Sequence, residues 1–137
     1  MYTIKQILLS IFMIFFSGCS FLFLASPIIT GIVMWKQGEA KKHYIEDYQI
    51  VCRATKRTLK DMKIDIIRSN SYNYETVILA GNGNRFKIKI YKNQDSYTSV
   101  SMRINAFGDK QLAELIYSNI DNNMNLIEYD ANGKPVD

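Results

Sequence analysis

The chain is poor in the residues that build most metal centres, triads and disulfide staples. Its 137 residues include two cysteines, Cys19 and Cys52, and a single histidine, His43. One histidine excludes most zinc sites and the usual nucleophile–histidine–acid triads. Two cysteines without a CxxC pattern exclude a disulfide scaffold. Cys19 also lies inside an apolar stretch, which argues against a bridge to Cys52. Seven glycines and two prolines are too few for a collagen-like or low-complexity chain. Charge is missing altogether from residues 7–34, with Lys5 the one charged side chain before them. Nearly all the charge follows, so a hydrophobic leader is joined to one small polar domain. The overall surplus, 17 Lys and Arg against 13 Asp and Glu, is a weak pull toward anionic partners.

The leader has the parts of an export signal. Residues 1–6 form a short n-region with Lys5, and residues 7–16 are apolar except for Ser10. Phe16, Ser17, Gly18 and Cys19 follow. Small residues before a cut point describe a secretory signal peptide. A cysteine directly after Ser-Gly resembles the bacterial lipobox. There the thiol carries a diacylglycerol as a thioether, and the cysteine becomes the new amino terminus. The expectation is a signal peptide over 1–18, then acylated Cys19 and an apolar membrane-proximal segment over 19–35. A second reading stays open. The apolar run continues past Cys19, and 7–34 exceeds the ~20 residues of a membrane-crossing helix. Lys36, Lys41 and Lys42 flank its far side. As an uncleaved signal anchor, it would keep the domain in the cytoplasm by the positive-inside rule.

The remainder alternates between two periods. Residues 38–44 read as a short edge strand. Asp47 is an N-cap, and Tyr48, Val51, Cys52, Thr55, Leu59 and Met62 recur at steps of three and four, predicting a helix over 48–62. Ile64 and Ile66, alternating with Asp65, begin the sheet, with a turn at 70–73. Residues 75–80 read as a strand, and Gly81-Asn82-Gly83-Asn84 as a hairpin turn. In 85–91, Phe86, Ile88 and Ile90 share one side and Arg85, Lys87 and Lys89 the other. Residues 97–105 place Thr98, Val100, Met102 and Ile104 inward. Asp109 caps a last helix with Leu112, Leu115, Ile116 and Ile120 as its stripe, frayed by Asn122 and Asn123. A polar tail over 125–137 follows, with a short strand at 126–129. The order β-α-β-β-β-α predicts an α+β domain over 36–124, a two-layer antiparallel sheet with two helices packed on one face.

The motifs resemble a family of short bacterial lipoproteins of unknown function. The likeness rests on Ser17-Gly18-Cys19, on Trp35-Lys36-Gln37-Gly38-Glu39, on Leu59-Lys60-Asp61-Met62 and on Phe107-Gly108-Asp109, spanning about 17 to 124. The resemblance implies a membrane address and a small α+β domain, and the family has no established activity to carry over.

Two sets of cations are candidates for binding an anionic surface. Arg53, Lys56, Arg57 and Lys60 share one helix face at i, i+3, i+4 and i+7. Arg85, Lys87, Lys89 and Arg103 share the open sheet face. Each set also suits a plain solvated surface. Cys52 reads as a buried thiol and His43 as a surface strand residue. Asp61 and Asp65 do not make a convincing catalytic pair. The expectation is a non-enzymatic envelope lipoprotein with no cofactor or metal. Acylated Cys19 would hold it to the bilayer. Its domain would bind an envelope protein or anionic lipid headgroups, and not nucleic acid. Ser20, where Asp often retains lipoproteins at the inner membrane, points to the outer membrane in cells that have one.

Overall fold

The computed structural model describes residues 31–127 and 130–134. Strand β1 (Met34–Lys36) turns into β2 (Glu39–Tyr44), followed by helix α1 (Tyr48–Asp61). Then come β3 (Asp65–Tyr72), β4 (Glu75–Gly81), β5 (Arg85–Lys92), β6 (Thr98–Ile104) and helix α2 (Lys110–Asn125). The six strands make one antiparallel sheet in the order β1-β2-β6-β5-β4-β3. Both helices pack on one face of it, as the apolar alternation requires.

The core is the inward register of four strands. Met102 pairs with Ala40 and Ile88, Val100 with Ile90, and Ile104 with Phe86. Val51, Ala54 and Leu59 of α1 and Ala113, Ile116, Tyr117 and Ile120 of α2 close over them. Both expected caps form. The Asp47 carboxylate accepts from the Gln49 amide at 2.9 Å, and that of Asp109 from the Leu112 amide at 3.0 Å.

Several expectations need correction. The order is β-β-α-β-β-β-β-α: the four segments read as strands after the first helix all form, one more than the order β-α-β-β-β-α counts, and an unexpected strand precedes residues 38–44. Residues 34 and 35, assigned to the membrane-proximal segment, pair with Lys41 and Ala40, so β2 is not an edge strand. Strand β3 runs on through 70–72, which read as a turn, because β4 offers partners as far as Tyr72↔Glu75. The α2 stripe is rotated: Leu115 is 53% exposed, while Ala113 and Tyr117 are buried. Asn122 and Asn123 do not fray the helix. Buried Asn123 donates to the Thr58 hydroxyl at 2.8 Å and to the Asp61 carboxylate at 3.3 Å, a tertiary tie that outweighs poor helix propensity. The strand expected at 126–129 is not formed at 126 and 127, and 128 and 129 lie outside the described residues.

The edge strand β3 is exposed along its whole length. A bulge between Ile66 and Arg68, and the charges of Asp65 and Arg68, blunt it against pairing with another chain. At the other edge, two loops are locked by glycines. Gly38 (φ +78) and Gly108 (φ +83) meet back to back. A Cβ on Gly38 would sit 2.5 Å from the Phe107 carbonyl oxygen. One on Gly108 would sit 2.8 Å from the Trp35 ring and nearer still to the Gly38 carbonyl. Gly108→Ala is expected to cost about 2–4 kcal/mol in urea unfolding, from strained φ plus backbone overlap. Gly83→Ala, where nothing lies within 4 Å of the new Cβ, should cost only about 1 kcal/mol.

Candidate functional site

The layered architecture separates the two cation sets. The buried side of α1 holds Val51, Cys52, Thr55, Thr58 and Leu59, so Lys56, Arg57 and Lys60 point away from the sheet, with half-buried Arg53 beside them. Arg85, Lys87, Lys89 and Arg103 stand on the sheet face that no helix covers. The sets therefore lie on opposite sides of the domain, and one flat anionic surface cannot meet both. Phe16, Ser17, Gly18 and Cys19 lie outside the described residues.

On the open face the four cations have different surroundings. Arg103 donates to the carbonyls of Gln37 at 3.2 Å and Ala106 at 3.4 Å and lies 3.9 Å from the Glu39 carboxylate. It ties together the same two loops that the paired glycines lock. Lys89 lies 3.3 Å from the Glu75 carboxylate and stands over the Tyr91 ring. Arg85 and Lys87 have no ion-pair partner among the described residues. Arg85, Lys87 and Arg103 line one shallow hollow of about 280 Å³ with Leu79 and Asn105, and Lys89 is not part of it. Three donors around a hollow suit a phosphate or carboxylate group.

Lys42 is the residue that sequence reading misplaced. In sequence it stands as a charge flanking the apolar run, yet Ala40, Lys42 and Tyr44 form the inward register of β2. Strict alternation from Ala40 was the signal that places it inside. Its ammonium is buried under α2 and lies 2.5 Å from the Asp121 carboxylate. The Tyr44 hydroxyl and the second Asp121 oxygen have no hydrogen-bond partner among the described residues. Burial first, and then the Asp121 charge, push the Tyr44 hydroxyl far above its ordinary range, so it stays protonated. These groups border a pocket of about 310 Å³ with Ile45, Met124 and Asn125.

His43 faces the open side. The Asn93 amide donates to the Ser99 hydroxyl at 2.6 Å, and that hydroxyl lies 2.6 Å from His43 Nδ1. The arrangement fits Ser99 donating to a neutral imidazole. Burial, then Lys41, lower the His43 pKa from 6.5. Ser99 is fully buried, so this chain of groups pins β2 to β6 and gives the hydroxyl no access to a substrate. Asp61 is engaged by Asn123, away from any paired-carboxylate role. Cys52 is buried, 3.8 Å from the Thr76 hydroxyl, and burial raises its thiol pKa above the ordinary value. Among the described residues there is no cluster of three His, Cys, Asp or Glu able to hold a metal ion. None of the described helices is long and apolar enough to cross a membrane.

The sequence profile of a family described as "Protein of unknown function (DUF3568)" matches residues 3–123. No curated protein matches the chain.

The Lys42–Asp121 pair should respond asymmetrically. The Lys42 side chain is 7% exposed and that of Asp121 is 40% exposed. Asp121→Ala strands a buried ammonium and should cost on the order of 2 kcal/mol, discounted for the wet carboxylate. Lys42→Met leaves a carboxylate that water reaches and should cost about 1 kcal/mol or less, both read from urea midpoints. For His43, a depressed folded-state pKa means the unfolded chain takes up the proton first. Its stabilising contribution is full above 6.5 and is lost as pH falls. The urea midpoint should drop less between pH 7.5 and pH 5 in His43→Gln than in the unaltered protein.

Proposed function

The chain belongs to the DUF3568 family of unknown function, and on that footing we propose that it is a membrane-anchored lipoprotein of the cell envelope. Cys19 carries the lipid, and the α+β domain is a non-catalytic module that binds a partner protein or an anionic envelope surface. The observation that carries the reading is Phe16-Ser17-Gly18-Cys19, which closes the apolar stretch 7–16 behind a short n-region and lies within the charge-free run. Two or three acyl chains together with an apolar flank make a firm anchor, whereas one chain alone is marginal. The hollow bordered by Arg85, Lys87 and Arg103 gathers three cations around a place for an anionic group. By contrast, the α1 cations stand on the opposite side and suit a solvated face.

The second reading is an uncleaved signal anchor in the inner membrane with a regulatory or scaffolding domain. The feature that favours it is the apolar run itself, which passes Cys19 and continues to Met34. Intact mass of the protein purified from membranes separates the two. A lipoprotein gives a chain starting at Cys19 with added acyl mass. Cys19→Ala should then accumulate as the unprocessed precursor. A chain running from Met1 without acyl mass, and indifferent to Cys19→Ala, would overturn the lipoprotein reading in favour of the span.

A further inference from the structure

We propose that one end of the sheet rests on the lipid–water interface, held there by exposed apolar and tyrosine side chains, with the strands standing upright on the membrane. This rests on the membrane anchoring proposed above. The chain enters the described structure at Gly31, whose amide donates to the His43 carbonyl at 3.1 Å. From Cys19 to Val33 there is no charged residue and no polar linker. With that run in or against the bilayer, the end of the sheet that carries Gly31 lies at the interface.

That end has the side chains for it. Around the antiparallel register, the segment before β1, the loops β2–α1 and β3–β4 and the end of α2 all gather there. They present Ile32 (57% exposed), Ile45 (76%), Tyr72 (79%), Tyr74 (63%) and Leu126 (60%). From β1 to β3 this row crosses five strand spacings, about 24 Å. Isoleucine and leucine gain by leaving water, and tyrosine suits the headgroup level, where its ring is half-immersed and its hydroxyl stays wet. Acidic Glu46, Asp47 and Asp95 share this end with Lys92, so the contact does not depend on anionic lipid. The opposite end carries Phe107, 91% exposed, which on this orientation points away from the membrane. The hollow of Arg85, Lys87 and Arg103 lies toward that far end, open to a soluble partner.

The single tryptophan, Trp35, makes a clean test possible. In a Trp35→Phe background, Ile45→Trp and Phe107→Trp place one reporter at each end, both at exposed positions that the fold tolerates. The full chain, isolated from membranes, is reconstituted into phosphatidylcholine vesicles with brominated acyl chains. The reporter at 45 should lose at least half of its fluorescence relative to unbrominated vesicles, and the one at 107 should be nearly unaffected. Equal quenching at both ends, stronger quenching at 107, or none at either in vesicle-bound protein would overturn the orientation while leaving the anchor intact. Protein that does not float with the vesicles would overturn both the anchor and the orientation.

Discussion

Two helices can cover only the middle of a six-stranded sheet, and much of this domain follows from that mismatch. Packed side by side at ~10 Å each, they shield roughly 20 Å, while six strands at ~4.8 Å spacing extend about 24 Å between their outer axes. The core accordingly centres on β2, β6, β5 and β4, where Ile78, Ile88, Ile90, Val100 and Met102 are buried. Strand β3, at the edge of the sheet, is exposed along its whole length. Its polar centre and bulge make it a tolerable edge. With both helices on one side, the reverse face carries the cations, two of them matched by Glu39 and Glu75.

The same geometry fixes how the charges work. A basic helix face and a basic sheet face are not one patch when a helix layer and a sheet lie between them. Within the sheet face, Arg103 is largely structural, because the loops it bridges must pass within glycine distance of each other. Arg85 and Lys87 remain the cations with most freedom to meet a ligand. The buried Lys42–Asp121 pair is a separate matter. It links the end of α2 to the last inward residues of β2, and the cost of desolvating the ammonium offsets much of the attraction between the two charges.

Element types were legible because their periods were clean. Phe86, Ile88 and Ile90 alternate without a fault, and both helices announce themselves by an aspartate cap. What was hidden depended on neighbours distant in sequence. Residues 34–36 are too few to declare a strand, and they become one because Lys41, Ala40 and Glu39 fold back beside them. Residues 70–72 carry turn composition, yet the ladder to β4 holds them extended. Asn123 has poor helix propensity, and Thr58 and Asp61, more than sixty positions earlier, keep it helical. For the candidate site, the chain placed the sheet cations on the correct face but gave no hint that three of the four share a hollow.

By itself the sequence determined the charge-free leader, the cysteine that ends its small-residue motif, the α+β class and the face each regular strand turns inward. These are local properties, set by composition and by periods of two and three to four residues. Tertiary structure alone decided that the turn with Gly38 meets the loop with Gly108, that the two cation sets are separated, and that Lys42 finds Asp121. Each of these depends on which segments the sheet order brings together. The strand order β1-β2-β6-β5-β4-β3 places β6 between β2 and β5, a choice made by burying all inward faces at once and not by any one stretch of chain.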